Sequence, residues 1–329
     1  MCTSIFTKTK DNKHLLARTM DFSYPLNSCP VFIPRAYQWQ SVSDQKSHQN
    51  KYGFTGAGKN LEGSYFVAGG VNEKGLSVAE LYLPGEAVYQ KEVDPACQNF
   101  APHELILHLL GNFSSIEEIG LELNSINLIA APLPELEIIT PLHWIITDES
   151  GKSAVIEPTE KTLSFKENPV NVMTNTPQLE WHIQNLRNYL SVQPMQYDSA
   201  KFDNFEATPF SQGTGTSGLP GGYTPPERFV RAAFLKEYIE EAADEDEGVM
   251  NIFHILASVR IPKGIVLEKT GNSDYSQYVS ISCNESKTFY YTDYASNEIA
   301  KVILTDELLA ETKVKEFPIS RTPIYKVCN

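Results

Sequence analysis

MCTSIFTKTKDNKHLLARTMDF, residues 1–22, is the stretch whose reading settles the fold. Residues 2–8 and 14–20 alternate well enough, with Ile5 and Thr7 in the first run and Leu15, Leu16 and Thr19 in the second, to predict two strands of a hairpin that turns at Asp11-Asn12-Lys13. The second strand returns beside the first. Arg18 and Asp21 are thereby expected near Cys2.

A cysteine in second position gives this hairpin a chemical meaning. Loss of Met1 would leave a thiol and a free α-amino group on the same residue, with ordinary pKa values near ~8.5 and ~8. The amine then accepts the thiol proton, directly or through one water; a nitrogen inside a peptide bond does not. A guanidinium at Arg18 favours thiolate, and the Asp21 carboxylate can hold or orient the ammonium. Taken alone, a cysteine at position 2 is an ordinary feature of a sequence. Arg18 and Asp21 alone read equally well as a surface ion pair worth about 0–1 kcal/mol.

Six further stretches accompany the opening: GVNEKGL (70–76), PLHWIITD (141–148), VMTNTP (172–177), GLPGGYTPPERFVR (218–231), FHILASVRIPKG (253–264) and YTDYASNEI (291–299). Together and in this order they resemble the choloylglycine hydrolases, N-terminal-nucleophile amidases that include bile salt hydrolases and penicillin V acylases. The resemblance covers nearly the whole chain. It implies an α+β fold, a four-layer αββα sandwich of two antiparallel sheets between helical layers, in a single domain over 1–329. It also implies that Cys2 is the nucleophile, with Arg18, Asp21 and Arg228 placing it, and that Asn175 and the backbone N–H of Tyr82 hold the oxyanion.

Composition agrees. At 329 residues and 41% hydrophobic the chain can bury a sizeable core. Its 27 basic and 41 acidic residues give a net charge of −14, which argues against nucleic acid or an anionic membrane as partner. No signal peptide or long apolar run is apparent. The five cysteines, Cys2, Cys29, Cys97, Cys283 and Cys328, are scattered and odd in number, so a reducing cytoplasm is expected.

Along the chain, prolines 25, 30 and 34 predict irregular backbone over 24–36. By resemblance Tyr24, Leu26, Phe32 and Ile33 are candidates to contact an acyl group; each reads as well as core. Gly53–Asn60 has the glycine and lysine spacing of a phosphate loop. It lacks the Ser or Thr after the lysine and leads into a strand-like run, which excludes nucleotide binding. Gly213–Gly218 fails as a dinucleotide fingerprint because no strand precedes it. His103 and His108 are five apart, not the four that zinc peptidases use on one helical face, so no metal is expected, and the amidase chemistry needs no cofactor. A capping box at Ser114–Glu117 is expected to start the second of two helices within 101–124.

Residues 191–226 are rich in Gly, Pro, Ser, Thr and Asp and predict a long loop, uncommon in a compact monomer. In the resembling family this excursion builds a homotetramer. Two departures from the family pattern stand out: Gly69 and Gly222, where relatives usually carry Asp. They are expected to weaken support of the nucleophile and to loosen the long loop. Tyr82 resembles penicillin V acylases, where typical bile salt hydrolases carry Asn. The expected reaction is therefore cleavage of the phenoxyacetyl amide of penicillin V, with conjugated bile salts or acyl-homoserine lactones as alternatives, and a feebly active ligand-binding relative as the non-enzyme reading.

Overall fold

The computed structural model describes residues 1–61, 63–134 and 136–329. The strands that matter for the site are β1 (Cys2–Lys8), β2 (His14–Phe22), β3 (Ser64–Asn72), β4 (Ser77–Tyr82), β5 (Leu142–Thr147), β6 (Val172–Met173) and β7 (Tyr275–Cys283). The helices are α1 (Leu105–Asn112), α2 (Ile116–Glu122), α3 (Leu179–Asn185), α4 (Pro225–Tyr238) and α5 (Glu245–Ala257).

Two antiparallel sheets stack between helices, as expected. The six-stranded sheet runs β6, β1, β2, β7, then Thr288–Asp293 and Ala300–Ile303. The eight-stranded sheet runs Phe165–Glu167, Ser153–Ile156, β5, β4, β3, Phe54–Leu61, Cys29–Ile33 and Lys315–Glu316. Residues 54–60 of the run with phosphate-loop spacing thus lie in a strand.

The opening hairpin forms in the expected register, with Cys2 opposite Met20 and Ser4 opposite Arg18. Asn12 supplies the turn with a φ of 62°, a conformation Asn tolerates better than most residues. Because side chains alternate along a strand, Cys2, Arg18, Met20 and Phe22 share the face toward the second sheet. Thr3, Leu15, Thr19 and Asp21 share the other face, beneath α4 and α5.

One core cluster fills the space around the six-stranded sheet, joining Ile5 and Leu15 to Ile145 and Val155 of the facing sheet and to Phe229 and Ile252 of the helices. A second lies outside the eight-stranded sheet, where α1 and α2 bury Leu105, Leu109 and Ile119 against Val78 and Trp144. Each such side chain contributes about 1.5–3 kcal/mol by leaving water.

α4 ends at Tyr238 and α5 begins at Glu245, with Asp244 as its cap accepting from Glu247 N at 3.0 Å. One boundary differs from the expected one. The cap of α2 is Ser115, not Ser114, and its partner is Glu118. Glu118 accepts from Ser114 N and Oγ at 2.6 and 2.7 Å. The adjacent serines offer two frames, and the one that turns Ile119 inward prevails.

Candidate active site

Cys2 is 3% exposed. Arg18, on the same face of the hairpin, extends along it, and its Nη2 donates to Cys2 Sγ at 2.8 Å and to Met20 Sδ at 3.2 Å. Its Nη1 donates to Ala68 O at 2.9 Å and Glu80 O at 2.5 Å, and its Nε to Thr19 O at 3.2 Å. These carbonyls are available for a structural reason. β3 and β4 pair from Val71–Ser77 to Gly69–Ala79, and no pairing is recorded beyond, so carbonyls just past that point need another donor. Burial opposes the charge on Arg18, but electrostatic coupling to Cys2, Tyr278, Glu80 and Asp21 outweighs it and raises the guanidinium pKa above its ordinary value.

A second guanidinium stands on the other side of the nucleophile. Arg228, fully buried in the first turn of α4, donates from Nη1 to Cys2 O (2.5 Å) and Thr3 Oγ1 (2.6 Å), from Nη2 to Asn175 Oδ1 (2.6 Å), and from Nε to Tyr223 O (2.9 Å). Asp21 Oδ2 is 3.9 Å away. Burial lowers the Arg228 pKa, against the pull of Asp21 and Cys2. Asp21 is fixed in turn by Ser276 Oγ at 2.5 Å and Thr19 Oγ1 at 3.1 Å.

The helix that carries Arg228 is aimed by a capping box, in which Glu227 accepts from Thr224 Oγ1 at 2.6 Å and from its N at 3.3 Å. Here the expectation for Gly222 needs correction. A Cβ at that position would lie 2.2 Å from Glu227 Oε2, so the Glu227 carboxylate occupies the space that a larger residue would fill. Arg231 Nη1 donates to Gly222 O and Pro220 O at 2.7 and 2.8 Å. This corner is tied rather than loosened.

Asn175 follows β6. Its Oδ1 accepts from Cys2 N at 2.9 Å as well as from Arg228, and its Nδ2 donates to Tyr82 O at 2.7 Å. Two donors on one side and a carbonyl on the other fix the amide's orientation. Its main chain is held from behind by His182 Nε2 on Asn175 O (2.8 Å), while His143 Nε2 bonds Thr174 O (3.0 Å). His143 also contacts Glu157 at 3.1 Å, and Lys166 Nζ donates to the same carboxylate at 2.9 Å.

Tyr82 ends β4 opposite Leu142. Leu83 N donates to Pro141 O at 2.7 Å, which makes Tyr82–Leu142 a pair whose N–H and C=O both turn away from β5. The carbonyl meets Asn175. The ring packs edge-on to Phe22, with centroids 5.6 Å apart. Its hydroxyl pKa is pushed up to about 12 by burial, with the charges of Cys2 and Glu80 adding.

Cys2, Arg18, Asp21 and Tyr82 border a cavity of about 450 Å³, its open mouth included, walled chiefly by Met20, Phe22, Leu26, Phe66, Leu81 and Leu142, while Asn175 and Arg228 stand behind Cys2 and do not line it. Of the expected acyl contacts, Leu26 lines it; Tyr24 lines a smaller adjoining pocket with Leu26. Phe32 and Ile33 do not: both are fully buried. Their strand is hydrogen-bonded on both sides, to Phe54–Leu61 and Lys315–Glu316, which commits them to the core.

At Gly69 a Cβ would sit 3.6 Å from Arg18 Cδ, so the missing side chain leaves bare backbone beside the guanidinium. His103 and His108 are buried and held neutral, with pKa values near 4 and 3, in each case chiefly by burial. Among the described residues no group of three or more His, Cys, Asp or Glu is arranged to hold a metal. Sequence reading missed Glu80, whose side chain is buried at this cavity. The available signal was a carboxylate inside the otherwise apolar strand Ser77-Val-Ala-Glu-Leu-Tyr82.

In the chain with Met1 in place, the terminal ammonium donates to Asp21 O at 2.6 Å and Asp274 Oδ2 at 3.3 Å. The nitrogen that faces Asn175 is then the Cys2 peptide N–H.

A model of the linear amide C–N hydrolases, choloylglycine hydrolase family, matches residues 2–317. The chain is 35% identical over 322 residues to a bile salt hydrolase/transferase of Clostridium perfringens, covering 98% of each. It superposes with a TM-score of 0.93 on the crystal structure of a conjugated bile acid hydrolase from the same organism, a cysteine-to-alanine mutant, at 34% identity and full coverage of both chains. A penicillin V acylase of Agrobacterium tumefaciens shares the fold at 22% identity and a TM-score of 0.76, with 96% of this chain and 90% of that chain covered.

Proposed function

Since the chain belongs to the choloylglycine hydrolase family of linear amide C–N hydrolases, we propose that it cleaves N-acyl amides through Cys2, with glycine- or taurine-conjugated bile salts as its first substrates. The observation that carries the chemistry is the Arg18 Nη2 donor 2.8 Å from Cys2 Sγ at the edge of an apolar cavity. Once Met1 is removed, the Cys2 amine takes the thiol proton and the sulfur attacks the amide carbonyl. The S–C bond forms, and the C–N bond breaks as the ammonium gives its proton to the departing amine. Water, deprotonated by the same amine, then cleaves the thioester to the free acid.

The remaining hydrogen on Asn175 Nδ2 and the N–H of Tyr82 are suited to hold the oxyanion. Arg228 and Asp21 fix the Cys2 backbone and Asn175 in place. The choice of bile salts follows relatives 30–35% identical to this chain, which are named bile salt or conjugated bile acid hydrolases. Penicillin V is the second reading. It is favoured by Tyr82, the residue that resembles penicillin V acylases, whose ring packs edge-on to Phe22 at the cavity. We also propose that residues 191–226 meet further copies of the chain in a homotetramer.

Side-by-side hydrolysis of glycocholate and penicillin V by Met1-free protein, with Cys2→Ala as control and product mass as readout, tests this. Faster release of glycine than of 6-aminopenicillanic acid, reduced at least ~1,000-fold in Cys2→Ala, is expected. The reverse ratio would move the assignment to penicillin V; no Cys2-dependent turnover of either would end the amidase reading for these substrates.

A further inference from the structure

The cavity beside Cys2 is apolar except at one wall. There Glu80 is 2% exposed and its Oε2 has no hydrogen-bond partner among the described residues. Two neighbours share this condition. Thr140 Oγ1, on the same cavity, and Trp144 Nε1, on the residue directly opposite Glu80 across the β4–β5 ladder, are also buried without partners. Unpaired buried polar atoms are unusual, because each costs about 1–3 kcal/mol when left unmade; Trp144 belongs to the second core cluster outside the sheet, so Glu80 and Thr140 are the two that line the cavity. The surrounding surface is supplied by Leu133, Leu136 and Leu142; none of these side chains can complete the set.

The chemistry of Glu80 and Thr140 is mainly that of a donor. A hydroxyl can donate, and a carboxylic acid donates while it keeps its proton. Burial pushes the Glu80 pKa up to about 8, against the opposing pull of the Arg18 charge and of the Trp144 N–H, which lies near but outside hydrogen-bond geometry. Glu80 is therefore mostly a neutral acid at neutral pH.

We propose that Glu80, with Thr140, forms a polar subsite that selects acyl groups bearing a hydroxyl or ether oxygen over the matching hydrocarbon. This rests on the amidase reading above and adds to it a specificity-determining residue. It also accounts for a buried acid in the wall of an acyl pocket that packing alone would fill with an apolar residue. A charge partner for Arg18 is the competing role, since Glu80 is among the groups that raise the Arg18 pKa. That role predicts the same effect on every substrate.

Matched substrates separate the two. Glycine conjugates of cholic acid, of its analogues lacking one ring hydroxyl in turn, and of the fully deoxygenated acid form one series; phenoxyacetyl and 3-phenylpropionyl amides of one amine form a second. kcat/KM is measured for wild type, Glu80→Leu and Glu80→Gln, and equilibrium binding of the same compounds to Cys2→Ala with and without Glu80→Leu by calorimetry. One neutral hydrogen bond is worth roughly a three- to tenfold preference. That preference, carried in KM, is expected for at least one oxygen position in wild type, kept in Glu80→Gln and abolished in Glu80→Leu.

An equal loss on all substrates, carried in kcat, would overturn the subsite and assign Glu80 to Arg18. Absence of any oxygen preference in wild type would overturn it as well. If no compound is hydrolysed, the amidase reading fails, while the calorimetric preference and its loss in Glu80→Leu still decide the subsite.

Discussion

Asn175 has one acceptor oxygen and two donor hydrogens, and the fold uses them unequally. The oxygen takes Cys2 N and Arg228 Nη2, whereas Nδ2 spends one hydrogen on Tyr82 O. The free hydrogen is what a tetrahedral oxyanion would use, so Asn175→Ala is expected to lower kcat by about 10²–10³ with KM little changed; a fall in KM-governed binding alone, measured by steady-state kinetics, would assign Asn175 to substrate binding instead. Glu80 makes a prediction of opposite character, about stability. Its folded pKa, about 8, lies above the ordinary carboxyl value of 4.5, so the folded chain holds a proton that the unfolded chain releases earlier. Stability conferred by the neutral acid is full below about 4.5 and is lost as pH rises to about 8. Removing the titration by Glu80→Gln should therefore raise Tm relative to wild type progressively between pH 5 and about pH 8, and a Tm difference independent of pH in that window would contradict the burial argument.

At the scale of elements, the hairpin and the pair of helices within 101–124 were legible because they depend on local alternation and caps. Cys2, Arg18 and Asp21 were brought together by reading one turn. Arg18 was expected beside Cys2, yet it stands opposite Ser4, two residues along, and only the reach of a long side chain closes the distance. What sequence could not supply was cover from distant segments. Glu80 stands out as a carboxylate in an apolar strand, but that it is 2% exposed at a cavity shared with Leu133 and Leu136 depends on segments far away in sequence. Phe32 and Ile33 were expected at the pocket by resemblance alone, and pairing on both edges of their strand makes them core. The contact between Gly222 and Glu227 likewise depends on backbone geometry across five residues. It yields a test: Glu227→Ala should cost about 0.5–2 kcal/mol in denaturant unfolding and lower kcat, because the first turn of α4 carries Arg228. A stability loss without any kinetic change would show that Arg228 is held by its own bonds to Cys2 O, Thr3 and Asn175. Glu157 binds a second set of elements, through His143, Lys166 and Leu179 N. Its side chain is fully buried, so Glu157→Ala, which leaves its partners uncompensated, is expected to cost about 3–5 kcal/mol.

For the molecule as a whole, two forces act in opposite directions on association. A net charge of −14 repels a second copy, while the long loop exposes large apolar groups: Met195 at 69%, Phe202 and Phe205 at 66% and Phe210 fully. Single exposed apolar residues are ordinary, but aromatic side chains gathered on one excursion are what interfaces between copies use. If these residues meet further copies, association should strengthen as salt screens the charge, since the Debye length shrinks to about 10 Å at 0.1 M while apolar burial is unaffected. Light scattering behind size-exclusion chromatography is expected to give four times 36.8 kDa for the wild type, more completely at 0.3 M than at 0.02 M salt. The triple variant Phe202→Ser, Phe205→Ser, Phe210→Ser should elute at lower mass with its circular dichroism unchanged, because none of the three contributes to either core cluster. A wild type that scatters as 36.8 kDa at both salt concentrations would overturn the tetramer, and dissociation on adding salt would place its contacts in charge pairs rather than in the aromatic loop.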